Sequence, residues 1–174
     1  FDAEKSISFE ALSTALDRAT RGVAADFLEP PGATLLDLYL IVNAVDDLTS
    51  GAYYYRRTNQ SLELLREGNF RATAGRLGLG QELPAAAAVN IYSLVDLQSV
   101  LERLGNRGYR AAQIEGGIVG GRLYLAAYAQ RFGATGLTFF DDEVVDFFSP
   151  HATGKSVMFL VAIGHPDRVA LGLA

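Results

Sequence analysis

The chain has 174 residues, 49% of them hydrophobic and 20% charged, with a formal net charge of -5 and no cysteine. That length suits one domain, 1–174, with a full apolar core, and the acidic balance argues against nucleic-acid binding. Without cysteine there are no disulfides, thiolate metal sites or cysteine nucleophile; this composition fits a cytoplasmic protein. No run of about 18 apolar residues occurs, so no membrane span is expected. The chain opens on Phe1 rather than methionine, which reads as a processed product or a fragment.

Residues 1–6 read as an extended lead-in. Ser6 or Ser8 can cap a helix that carries Phe9, Leu12, Leu16 and Ala19 on one face and ends near Gly22. Glu29-Pro30-Pro31-Gly32 is a rigid loop, because proline fixes φ and removes amide donors. Leu35 to Val45 is a β-rich apolar run, expected as a strand buried on both faces. A turn at 46–51 leads to a second strand, Ala52 to Arg57, and Ser61 to Leu65 is a short third one. Residues 69–77 read as helical, with Gly78 as the stop.

Ala85 to Tyr92 is expected as a strand behind Pro84, and Leu94 to Leu104 as an amphipathic helix closed by Gly105. A long helix then runs from Tyr109 to Phe132. Ile114, Ile118 and Leu125 form one apolar stripe, with Val119, Leu123, Ala126 and Ala127 beside it. Polar groups are sparse, so protein is expected on both sides of it, and Gly133 is expected to supply the left-handed cap. Ala134 to Phe139 is a strand, Asp141 to Phe148 a helix with acids in its first turn, and Ser156 to Ile163 a final apolar strand. Gly164 to Ala174 is a tail. The sum is α+β: a mainly antiparallel sheet flanked by helices, one of them long and central.

Four glycines sit inside that long helix: Gly116, Gly117, Gly120 and Gly121. Each costs roughly 0.5–1 kcal/mol relative to alanine. Close approach of another surface can offset this, and three partners are open: a helix of this chain, a second subunit, or the flat face of a ligand. Glu115 is an acid in an otherwise apolar helix. It implies either a nearby cation such as Arg110 or Arg122, or an acid tuned beside a ligand. His151 and His165 lack a second histidine or a carboxylate at ligand spacing, so no metal site is expected. No serine sits on a Gly-x-Ser-x-Gly elbow, and no glycine fingerprint marks a Rossmann dinucleotide site. These patterns name no catalytic residue.

The order of segments carries more. Arg107-Gly-Tyr-Arg110, Glu115-Gly-Gly, the helix ending Tyr-Ala-Gln-Arg-Phe-Gly133, Phe140-Asp-Asp142 and Val161-Ala-Ile-Gly164-His-Pro166 together resemble the nitroreductase superfamily. The closest likeness is to the SagB-type dehydrogenases. Pro30-Pro31-Gly32-Ala33 before Asp37-Leu-Tyr-Leu-Ile-Val42 resembles that family's proline–serine–glycine loop and following strand. Gly51-Ala-Tyr-Tyr-Tyr55 and Leu62-Glu-Leu-Leu65 resemble its hairpin. The resemblance implies an FMN-dependent nitroreductase fold and a homodimer with flavin at the subunit interface. It implies hydride transfer between a reduced nicotinamide (NADH or NADPH) or an oxidisable small-molecule substrate and an acceptor. It assigns Pro30, Pro31, Gly32 and Ala33 to the loop lining the flavin. Gly136, Leu137, Thr138 and Phe139 match the segment whose amides approach the ring near N5. Arg168 falls near a basic residue for the phosphate.

The chain also departs from the pattern. Pro31 replaces a serine, Arg103-Leu104 replaces a lysine–tyrosine pair, and Phe139 replaces a glycine, which would set a bulky ring beside the flavin face. The family's N-terminal arginine–serine phosphate motif would lie before Phe1. These departures keep a second reading open, a catalytically degenerate member kept for dimerisation or as a scaffold, one half of a tandem protein.

Overall fold

The computed structural model describes residues 1–30 and 32–167. Pro31, Arg168 and the rest of the tail lie outside the described residues. The elements are α1 (Phe9–Thr20), β1 (Leu36–Val42), β2 (Gly51–Arg56), β3 (Ser61–Glu67), α2 (Arg71–Leu77) and α3 (Glu82–Ala86). They continue with β4 (Val89–Val95), α4 (Leu97–Leu104), α5 (Arg107–Ala129), β5 (Gly133–Gly136), α6 (Asp141–Phe148) and β6 (Ser156–Gly164). The six strands form one sheet in the order β3-β2-β1-β4-β6-β5, and every neighbouring pair is antiparallel. This is the α+β architecture expected.

β1 lies inside the sheet and is buried on both faces, as its apolar run predicts, apart from the half-buried Asp37. Its side chains alternate. Leu38, Leu40 and Val42 join a core with Leu12, Leu16, Val119 and Leu123 beneath α1 and α5. Tyr39 and Ile41 join the opposite core with Leu77, Val144 and Phe148 beneath α2 and α6. Ser8 caps α1 by accepting the Ala11 amide at 3.1 Å. No helix among the described residues is long and apolar enough to cross a membrane.

Four expectations are corrected. Ala85 and Ala86 end a helical turn rather than open a strand; alanine favours helix, and the β-rich residues begin only at Val89. Leu94 and Val95 belong to β4, and α4 starts after Asp96, whose carboxylate caps the Ser99 amide at 3.1 Å. The left-handed residue after α5 is Arg131, with φ of 64°, rather than Gly133. Finally, the stripe of α5 through Ile114 and Leu125 is not covered: these residues are 53% and 70% exposed. The buried face carries Ala112, Glu115, Gly116, Val119, Gly120, Leu123 and Ala127.

Candidate functional site

Two segments were assigned to the flavin, and the sheet places both at one end. β1 runs opposite to β4, and β5 runs in the same sense as β4 because both oppose β6. The loop entering β1 and the segment leaving β5 therefore meet the same edge of the molecule. Two strands intervene, so the segments are separated across the sheet by three strand spacings, roughly 14 Å, and Gly136, opposite Val161, is also offset along β6 from the level of Leu36, which matches Ser156.

The first segment is a turn. The Ala33 amide donates to the Pro30 carbonyl at 2.9 Å, and Gly32 has φ of 89°. Positive φ at the third position of such a turn favours glycine. A cavity of about 660 Å³ opens beside it, lined by Gly22, Val23, Ala24, Leu28, Pro30 and Gly32. Its size and mainly apolar lining, with the acidic Glu29 beside Pro30, suit a small ligand.

The second segment is held by both neighbours. The Gly136 amide donates a short hydrogen bond to the Tyr124 hydroxyl from α5. The Leu137 amide donates to the Leu160 carbonyl at 3.1 Å, and the Phe140 amide to the Leu77 carbonyl at 2.9 Å. Between them, the Thr138 and Phe139 amides meet no acceptor among the described residues. The fit at Gly136 is tight: a Cβ there would stand 3.1 Å from Phe159 Cζ and 3.2 Å from the Tyr124 hydroxyl, so those side chains would have to give by a few tenths of an ångström. The Phe139 side chain packs against the core under α2 and α6.

The other sequence candidates resolve differently. Glu115 is 1% exposed, and its partners are neither Arg110 nor Arg122. Its carboxylate accepts from the Thr34 hydroxyl at 2.5 Å and the Leu35 amide at 2.7 Å, with Arg57 Nη1 at 3.8 Å. Burial pushes the Arg57 guanidinium below its ordinary range, against the opposing pull of Glu115. Arg122 instead donates to the Arg21 and Gly22 carbonyls after α1. His151 Nδ1 lies 2.9 Å from the Tyr39 hydroxyl, and His165 Nε2 lies 3.0 Å from the Ser6 carbonyl. No cluster of metal-ligating side chains occurs among the described residues.

The glycines of α5 divide. Gly120 faces inward against Phe159, while a Cβ at Gly116 would meet Met158, Phe159 and Leu36 at an ordinary 3.7–3.8 Å. Gly117 and Gly121 face outward, and a Cβ at either would meet nothing within 4 Å. Three residues escaped the sequence reading: Tyr124, Thr34 and Arg57. Each acts across the fold on a residue distant in sequence, so no local pattern marks it.

The nitroreductase family model matches residues 1–165, and the chain belongs to that family. Among solved structures, a protein of Anabaena variabilis that carries the name nitroreductase is 31% identical, with a TM-score of 0.84 over 93% of this chain and 34% of its own. This chain thus spans about a third of that protein's length. One chain of the Escherichia coli microcin synthetase McbBCD complex, with truncated pro-MccB17 bound, shares the fold at 16% identity and a TM-score of 0.79. That likeness covers 96% of this chain and 67% of the other. The NADPH:FMN oxidoreductase of Vibrio harveyi, complexed with NAD+, does so at 14% identity and 0.63, over 94% of this chain and 62% of its own. No curated protein is similar enough in sequence to match.

Proposed function

We propose that the chain is an FMN-dependent oxidoreductase of the SagB type, forming one domain over 1–174. It works as a homodimer with flavin at the seam. The observation that carries the reading is the pair of unanswered amides at Thr138 and Phe139. They stand in the segment that the family resemblance sets against the ring, between neighbours whose own amides are already bonded. Thr138 is exposed and Phe139 half-buried, so an acceptor from outside the chain, water or a ligand, can reach this segment.

When bound, FMN supplies a ring that takes a hydride from one substrate and passes it to another. The chain's part is to hold that ring. The Thr138 and Phe139 amides would donate to its edge. Tyr124 and Leu160 fix the segment by accepting from Gly136 and Leu137, so these donors need no reorganisation. The turn through Pro30, Gly32 and Ala33 would cover an apolar face and exclude water, and Pro31 is proposed to share that role. Arg168 is the residue proposed for the phosphate.

The outer face of α5 supports the dimer. Arg110, Ile114, Gly117, Gly121, Leu125 and Tyr128 are all exposed there. A twofold axis midway between Gly117 and Gly121 sets each glycine against its counterpart. It brings Ile114 beside Leu125 and Arg110 beside Tyr128, a self-complementary arrangement that permits cation–π contact. Such a seam can bring the turn of one protomer to the amide segment of the other, which a single protomer holds apart.

The experiment is titration of the purified protein with FMN, read in the visible flavin band, followed by NADH or NADPH. Binding with bleaching by a hydride donor is expected. Protein that takes up no FMN contradicts the reading and leaves the dimerisation scaffold.

A further inference from the structure

We propose that Glu115 is a positioning residue that locks the flavin-lining turn to the helix carrying the dimer face; this rests on the flavin reading above. Glu115 is a buried carboxylate with both oxygens engaged. Oε1 accepts from the Thr34 hydroxyl at 2.5 Å, and Oε2 accepts from the Leu35 amide at 2.7 Å. The remaining charged group facing it is Arg57, whose Nη1 stands 3.8 Å from Oε1. Arg57 Nε is buried without a partner among the described residues. The guanidinium therefore answers Glu115 by its charge more than by close hydrogen bonds.

What these bonds fasten is specific. Thr34 and Leu35 come directly after the Pro30–Ala33 turn and before the sheet ladder, which begins at Leu36 opposite Val95. β1 itself is held by β2 and β4 on its two sides and needs no carboxylate. Stability alone does not call for a charge here, because a buried ion is expensive and an apolar side chain of similar volume often serves as well. A carboxylate adds direction: it accepts two donors at fixed angles and so sets where the turn ends. On α5, Glu115 adjoins Ile114 and lies two residues before Gly117, both on the outer face. The turn is thereby registered against the surface that would meet the second protomer.

The test compares wild type with Glu115→Gln and Thr34→Val. The readouts are the FMN dissociation constant, amide exchange over 32–36 in the flavin-free protein, and the melting temperature. Glu115→Gln is expected to weaken FMN binding about tenfold and to speed Leu35 amide exchange by at least about tenfold, the scale of a hydrogen bond to a charged group. Thr34→Val keeps the carboxylate and its bond to Leu35, and is expected to give a smaller loss of the same kind. The double variant should lose less than the sum of the two single losses, since the two share one contact, while Thr34 also bonds Leu36 at 3.2 Å. A lower melting temperature with unchanged FMN affinity and unchanged Leu35 exchange would overturn the proposal. Should Glu115→Gln not fold, Thr34→Val decides on the same two readouts. Should wild type bind no FMN, the flavin reading fails, and Leu35 exchange alone decides whether Glu115 holds the turn.

Discussion

The ring of Phe159 fills the place of the side chain that Gly120 lacks: a Cβ at 120 would stand 2.4 Å from Phe159 Cε1 and 2.8 Å from Cδ1. The tip of the same ring lies near Gly136, where a Cβ would stand 3.1 Å from it, which narrows the room it has to move. Two glycines from different elements thus box one aromatic ring between α5 and β5. Gly120→Ala should cost about 1–3 kcal/mol from overpacking, which exceeds the helix-propensity gain of up to about 1 kcal/mol. Denaturant unfolding measures it. Phe159→Leu in the same chain should restore part of the loss, and additive effects would contradict the contact.

Gly121 gives the opposite outcome, because nothing lies within 4 Å of its missing Cβ. Gly121→Leu should leave the protomer as stable as before, or stabilise it by up to about 1 kcal/mol through helix propensity. It should also shift the protein from two-chain to single-chain species in sedimentation. An unchanged mass would remove α5 as the seam.

Tyr124→Phe takes the acceptor from the Gly136 amide. Stability should fall by about 1 kcal/mol, the usual worth of such a bond. Amide exchange at Gly136 should rise while Leu137, bonded to Leu160, stays protected. Equal exchange at both in the variant would show that the segment is not held from the helix.

Stability should also decline in alkali. Burial, then the charge of Asp37, then the hydrogen bond to Asp37 raise the Tyr54 phenol to about 12. Burial also raises Tyr39 and Tyr92. A group with a raised folded pKa holds its proton more tightly when folded. Its contribution is whole below the ordinary phenol value near 10 and is lost as pH climbs toward 12. Unfolding free energy measured from pH 9 to about 12 should therefore fall, less steeply in Tyr54→Phe. A flat profile would contradict the assignment.

Much of the architecture was legible because its signals are local. Ser8 announces α1, the run from Leu36 to Val42 is apolar on both faces, and three acids open α6 at Asp141, Asp142 and Glu143. The misreadings arose where local preference was shared or the deciding contact was remote. An alanine run suits helix or strand, and the chain chose helix through Ala86. Glycine spacing on α5 marked close approach but not its direction: Gly120 turned inward, Gly121 outward. Ile114 and Leu125 have core chemistry, yet a face meant for another surface has the same chemistry. The candidate site was legible as segments through family resemblance. Its supports, Tyr124 behind Gly136 and Glu115 behind Thr34, reach across the fold, and spacing cannot reveal them.

The most direct measurement of the central claim is sedimentation of the FMN-treated protein, followed in the visible flavin band. Flavin travelling with a two-chain species, and released when Gly121→Leu separates the chains, is the predicted result. Flavin that stays at the meniscus, or travels with a single chain, would contradict a cofactor held at the seam.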